Sequence, residues 1–316
     1  LAGLATVQRA VPLFLGFAGL GVAQAFCLYE PAFRAVVEWF PVARQRGRAL
    51  LVLTAVAGFA STIFLPLSAF LLDRFGWRTA VLLLAVLLAG VSLPVRLRLP
   101  RASPRSPQHE SLSTFVESAT SVRLLGAGFA LQSFAATGAT VCLVWHLVER
   151  GETLGVAAAL AGLAGAAQVP GRLLLSPLSN ALPTEVRLPS LLAVQGGALL
   201  GIAVLTGPAL VVAVMTFGAS AGVMTLERAA VVIEWFGRDS FGARSGQLAS
   251  SSLFARATAP FVIELARGSF GYVRALVGLT ACLLLGSALL IGATRARRRT
   301  QPEQHRQKLQ TTALPS

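Results

Sequence analysis

The sequence predicts an all-α, polytopic membrane protein, and three observations carry that expectation. Of its 316 residues 55% are hydrophobic and only 13% charged, with a mean hydropathy of +0.70. A soluble domain carries about 25% charge, so this chain has too little polar surface to cover a globule in water. The apolar residues fall in long runs, and lipid offers no partner for open strand edges, so such runs cross as helices. The cations, which give a net charge of +14, cluster in short stretches between those runs. That distribution is a topology signal. A nucleic-acid interface would need a continuous basic face interleaved with aromatics, and none is present.

A bilayer core of about 30 Å needs about 20 helical residues. About nine segments meet that length, near 12–40, 48–72, 77–97, 121–148, 154–178, 187–206, 208–236, 244–266 and 271–294. Breakers mark their joints. Phe75-Gly76-Trp77 divides the second span from the third, and Thr206-Gly207-Pro208 divides the sixth from the seventh. Gly268 to Gly271 divides the last two. Residues 98–120 differ from their surroundings. They hold Pro100, Pro104 and Pro107 with Arg98, Arg101 and Arg105 and no long apolar run, as a hydrophilic linker would. Residues 295–316 are basic and polar, and their composition predicts a disordered tail.

Loop charge orients the spans. With nine alternating spans, Arg44, Arg46, Arg48, the linker arginines, Arg172, Arg187, Arg238, Arg244 and the tail cations share one side. That side holds about 18 cations against about six on the other, so it is expected to be cytoplasmic. A multi-pass protein of a bacterial cell membrane, with linker and tail in the cytoplasm, is the expected localisation.

Two stretches of the chain resemble each other at an offset of about 195 residues. Val36-Val37-Glu38-Trp39-Phe40 is followed by a basic loop, Pro66 and Phe75-Gly76-Trp77. Val232-Ile233-Glu234-Trp235-Phe236 is followed by Arg238, Arg244, Pro260 and Phe270-Gly271-Tyr272. Two homologous halves of about six helices each are therefore expected. The second half starts near Thr120, and the same offset puts the start of the first roughly 75 residues before Leu1. On this reading about nine of twelve helices are present in a two-bundle fold. Residues 1–97 form the rest of the first bundle, 98–120 a cytoplasmic linker, 121–294 a six-helix second bundle, and 295–316 a basic tail. A chain lacking those helices is expected not to transport by itself.

The order of these features resembles the major facilitator superfamily. Gly16-Phe17-Ala18-Gly19-Leu20-Gly21, running to Trp39-Phe40 and Arg46-Gly47-Arg48, looks like that family's fourth helix and following loop. Phe59-Ala60-Ser61-Thr62 with Pro66, then Asp73-Arg74-Phe75-Gly76-Trp77-Arg78, looks like its fifth helix and the turn into the sixth. Gln168-Val169-Pro170-Gly171-Arg172 resembles the end of the eighth, and Phe236-Gly237-Arg238 with Gly242, Gly246 and Arg256 to Pro260 the tenth-to-eleventh connection. The likeness is greatest to bacterial permeases and efflux proteins. It implies secondary transport of a small solute by alternating access, with protons as the coupling ion. Two departures weigh against drug efflux. Phe14 stands where the family often carries an arginine, and Leu65-Pro66 where drug antiporters carry Gly-Pro. A multidrug antiporter remains the alternative within the family. A membrane sensor built on a transporter scaffold is the alternative outside it.

Ionisable groups inside spans cost several kcal/mol unless paired or hydrated, so each is a functional candidate. Counting about 1.5 Å per residue from Phe40 puts Glu30 near the midplane, with Arg34 one turn nearer the basic side and able to face it. Glu227 and Arg228 sit at similar depth, and Arg256 lies mid-span. By resemblance, these five line a central cavity and bind substrate or carry a coupling proton. The plainer account is that they pair with one another and lock helix packing. Glu38, Arg74, Arg172, Glu234 and Arg238 lie near the basic loops and are expected to gate or to hold structure. His146 and Glu149 are expected at a solvated helix end. Gln24, Gln132 and Gln168 line the cavity or bond across helices.

Gly197–Gly201 and Gly218–Gly222 are small-residue spacings suited to close helix packing. Cys27, Cys142 and Cys282 each lie alone in an apolar run, as small buried hydrophobes do. No residue set points to a metal or cofactor. The absence of an H-E-x-x-H, a P-loop or a nucleophile elbow argues against an enzyme.

Overall fold

The structure is a computed structural model that describes residues 2–5, 7, 9–27, 29–40, 42–98, 119–175, 182–237 and 240–312. Among them all regular structure is helical. After a short turn at Ala2–Ala5 come α1 (Ala10–Cys27), α2 (Tyr29–Trp39), α3 (Ala43–Arg98), α4 (Ala119–Glu149), α5 (Leu154–Pro170), α6 (Thr184–Val204), α7 (Gly207–Phe236) and α8 (Phe241–Thr312). A π-helical turn, Gly171–Leu175, extends α5.

Six helical stretches among the described residues are long and apolar enough to cross a membrane: Phe70–Val95, Ala119–Glu149, Leu154–Leu175, Thr184–Val204, Gly207–Phe236 and Phe241–Arg299. The expected joints are real bends. Helix α3 leaves helical geometry at Gly76 (φ 73°, ψ 165°), and α8 does so at Gly271 (φ 78°, ψ 168°). The two repeats thus share one backbone device at matching positions. Between α6 and α7 the chain turns through Thr206, Gly207 (φ 58°) and Pro208, as the sequence predicts.

One expectation fails at the C-terminus. The tail runs on as helix to Thr312 where composition predicts disorder. Its first turns are held by ion pairs, Arg297 to Glu234 and Arg298 to Glu185. Those pairs fix the start of the extension without needing an apolar face.

By contacts the chain forms two compact units, Leu1–Ala32 with Ala60–Phe115, and Phe33–Phe59 with Val116–Ser316. In the first, the Arg78 guanidinium donates to the Val7 carbonyl (3.5 Å) and lies over the Trp77 ring. In the second, α8 packs along α4 and α6, and α7 packs along α5 and α6. Its core is aliphatic and aromatic, with Leu125, Phe129, Leu188, Leu192, Val214, Leu276 and Leu283 buried.

Helices α5 and α7 touch backbone to backbone. A Cβ on Gly218 would stand 2.0 Å from the Ala164 carbonyl oxygen, and one on Gly222 2.3 Å from that of Gln168. Residue 171 meets the same restriction, since a Cβ on Gly171 would lie 2.5 Å from the Ala219 oxygen. Only glycine permits such approach. Gly201 packs against Ala213 and Leu205, but a Cβ on Gly197 would meet nothing within 4 Å.

Contacts fix the relative directions of four helices in the second unit. The N-terminal end of α6 meets the C-terminal end of α7 through Thr184 and Glu234, and both meet α8 beyond its last apolar turn. The C-terminal ends of α4 and α6 meet at the opposite pole. There Arg150 donates to the carbonyls of Ile202, Ala203, Val204 and Leu205, the acceptors that every helix end leaves unmatched. His146 is buried beside them, its Nε2 3.3 Å from the Ile202 oxygen, and so is not a solvated helix end.

Candidate functional site

Glu227 and Arg228 are neighbours on α7, and side chains at adjacent positions of a helix do not face each other. Glu227 turns toward α6, where its Oε2 lies 2.8 Å from the Arg187 Nε, both side chains nearly without solvent (1% and 8% exposed). Arg228 turns toward α4 and α8. Its Nη2 donates to the Ser252 hydroxyl at 2.6 Å and its Nη1 to that of Ser133 at 3.5 Å, with the guanidinium 5.4 Å from the Phe129 ring centre. Helix periodicity thus places two opposite charges in two different polar clusters about two turns before the helix ends.

The Glu227 cluster extends toward the basic end of the unit. Glu234, two turns further on, accepts from the Thr184 hydroxyl at 2.6 Å and lies 4.0 Å from Arg187 and 3.8 Å from Arg297. Arg187 also donates to Thr184 at 3.3 Å. Arg297 donates to the Glu234 carbonyl and covers the Trp235 ring at 4.9 Å. Beside it, Arg46, Gly47, Leu50, Ala230, Ile233 and Glu234 line a cleft of about 260 Å³.

Arg172 begins the second residue of the π turn and is 2% exposed. It donates to the Gly222 carbonyl of α7, the Thr54 carbonyl of α3 and its own helix's Gln168 side chain. A buried guanidinium bonded to two foreign backbone carbonyls ties three helices at one point, and each bond to a charged group is worth about 1.5–3 kcal/mol.

The remaining candidates are more solvated. Arg34 pairs with Glu38 at 2.8 Å, both more than half exposed, a pair worth about 0–1 kcal/mol. The expected pairing of Arg34 with Glu30 falls on a side chain outside the described residues, as does Arg238. Arg256 is exposed on α8, and Arg74 lies 6.0 Å from the Phe70 ring centre on an exposed face. Gln132 donates to Gln195 at 3.4 Å across α4 and α6, one of the two roles open to it.

The structure therefore brings Glu227 and Glu234 into one network, gives Arg228 a separate pocket of hydroxyls and an aromatic face, and leaves Arg256 open. Sequence reasoning missed Arg187, Thr184 and Arg297 as partners, and Ser133 and Ser252 as the groups that hold Arg228. Arg187 carried a signal, since it stands three residues inside a helix whose first turn also holds Glu185. The serines carried none, being common in apolar helices.

A family model described as Major Facilitator Superfamily matches residues 1–227. No curated protein matches the chain.

Proposed function

The chain belongs to the Major Facilitator Superfamily, and we propose that it moves a small organic solute, anionic rather than cationic, by alternating access coupled to protons. A multi-pass membrane protein that transports a solute is what the family and the six long apolar helices establish. The finer reading rests on Arg228. It is part-buried among three apolar helices, and hydroxyls and a ring face hold it in place. A guanidinium so oriented offers paired donors to a carboxylate or phosphate. A cationic solute would meet like charge where low dielectric strengthens repulsion. Arg256, exposed one turn beyond Ser252 on α8, is proposed to add to the same potential, and Glu30, Arg34 and Glu227 are proposed as further substrate or proton-coupling residues. Glu38, Arg74, Arg172, Glu234 and Arg238 are proposed as gating or structural residues.

The test uses the full-length protein in liposomes with a trapped pH dye and a panel of mono- and dicarboxylates, sugar phosphates and organic cations. Anions are expected to elicit proton movement. Arg228→Gln should cut that rate about 10- to 100-fold, the loss of a charged hydrogen bond, while the protein still inserts. Ser252→Ala should cost less. Responses to cations alone, or an unchanged Arg228→Gln, would show the site to lie elsewhere.

We also propose that the basic end of the second unit is cytoplasmic. A cysteine at Arg299 should then label only from the cytoplasm, and one at Gly151 only from outside. Labelling of both from one side would overturn the orientation.

A further inference from the structure

The second limb of α8 carries an exposed stripe of mixed character. Val277, Ala281, Leu284 and Ala288 recur at three- and four-residue spacing and are all exposed, Val277 by 45% and Leu284 by 51%. The same face continues through Arg295 and Arg299, four residues apart and both exposed. At 1.5 Å per residue the apolar part is about 16 Å long, half the thickness of a bilayer core. Arg295 stands about 6 Å beyond Ile291, within a headgroup layer roughly 5–8 Å deep, and Arg299 about 12 Å, at its outer side, where a long side chain can reach back.

The arginines of this segment divide their work. Arg297 and Arg298 pair with Glu234 and Glu185. Arg295 and Arg299 have no ion pair among the described residues. Like charges at that spacing repel by a few tenths of a kcal/mol. The described carboxylates on α6 and α7 at this end, Glu185, Glu227 and Glu234, are all engaged. None of these three carboxylates pairs with Arg295 or Arg299, and Glu303, four residues beyond Arg299, carries a side chain outside the described residues. A third exposed arginine stands nearby. Arg123 is at the start of α4, whose Leu124 lies 3.4 Å from where a Cβ on Gly292 would be.

We propose that this face binds one anionic phospholipid, with an acyl chain along Val277 to Ala288 and the headgroup phosphate between Arg295 and Arg299, assisted by Arg123. Basic residues between helix ends at the interface suit such headgroups. The apolar lane distinguishes a lipid from a soluble anion, which would use the arginines alone.

The experiment is lipid retention by the purified full-length protein, read by native mass spectrometry with equal phosphatidylglycerol and phosphatidylcholine. Wild type should keep phosphatidylglycerol in preference. Arg295→Gln and Arg299→Gln should each reduce that preference about fivefold, while Arg295→Lys combined with Arg299→Lys, which keeps both charges, should keep most of it. Leu284→Gln should lower retention of both lipids. Added inorganic phosphate should displace neither. Equal retention of the two lipids by wild type, an unchanged preference in the double glutamine variant, or displacement by inorganic phosphate would each overturn the proposal.

Discussion

Gly218→Ala and Gly222→Ala should each destabilise the protein beyond the ~1–3 kcal/mol typical of overpacked cores. The reason is the identity of what the new methyl would strike. Where a flexible side chain lies in the way, a rotamer change relieves the clash. Here the obstacles are the carbonyl oxygens of Ala164 and Gln168, 2.0 and 2.3 Å from the ideal Cβ positions. Backbone of one helix can retreat only if α5 and α7 part along their length. Separation would also stretch the Arg172 bond to Gly222 on α7. Cys142, fully buried, supplies the readout. With Cys27 and Cys282 replaced by alanine, a thiol-reactive dye should report unfolding of both glycine variants at clearly lower temperature. Gly197→Ala, with open space around it, should be near neutral. If all three melt alike, the close contact is not what holds these helices.

The second large effect concerns the buried pair between α6 and α7. Glu227→Leu or Arg187→Met alone should cost up to about 3–5 kcal/mol, because each breaks the 2.8 Å ion pair of a nearly solvent-free site, Glu227→Leu the less since Glu234 stands 4.0 Å from Arg187. The double variant should recover most of that, since well-packed apolar residues often replace a buried pair at little cost. Thermal melts of the three proteins give the cycle. Transport then separates the roles. Restored stability with lost transport would assign the pair a part in the conformational cycle, and restored transport would make it a packing device. Equal melting of single and double variants would show that the two charges are not coupled. By comparison Arg34→Gln should barely move the melting temperature, because that pair is more than half exposed.

Much of the helical framework was legible because membranes simplify the problem. Long apolar runs must be helices, and the joints at Gly76, Gly207 and Gly271 announce themselves by residue type. Partner choice was far less legible. The spacing around Arg34 allows a carboxylate four residues before or after it, and helix geometry alone does not choose between Glu30 and Glu38. The Arg187–Glu227 pair joins residues on two helices, and no periodic signal carries across a loop. His146 and Arg150 stand at a helix end, where solvation is the default, yet α6 ends beside them and offers its free carbonyls. The helical tail failed for the opposite reason. Its composition lacks the apolar residues that usually order a segment, and two ion pairs anchor its start instead.

The matched bends at Gly76 and Gly271 carry a stereochemical consequence. Their dihedral angles, near +75° and +165°, are the mirror image of ordinary extended chain. An amino acid of the opposite hand would sit there at ease, while every residue of natural hand would have to unbend the helix. Nothing crowds either position, so volume imposes no limit. The residues two and three positions before the bend differ, Asp73-Arg74 in one copy and Gly268-Ser269 in the other, while a phenylalanine precedes the glycine and an aromatic follows it in both. At the bend itself both copies place the one residue that has no handedness.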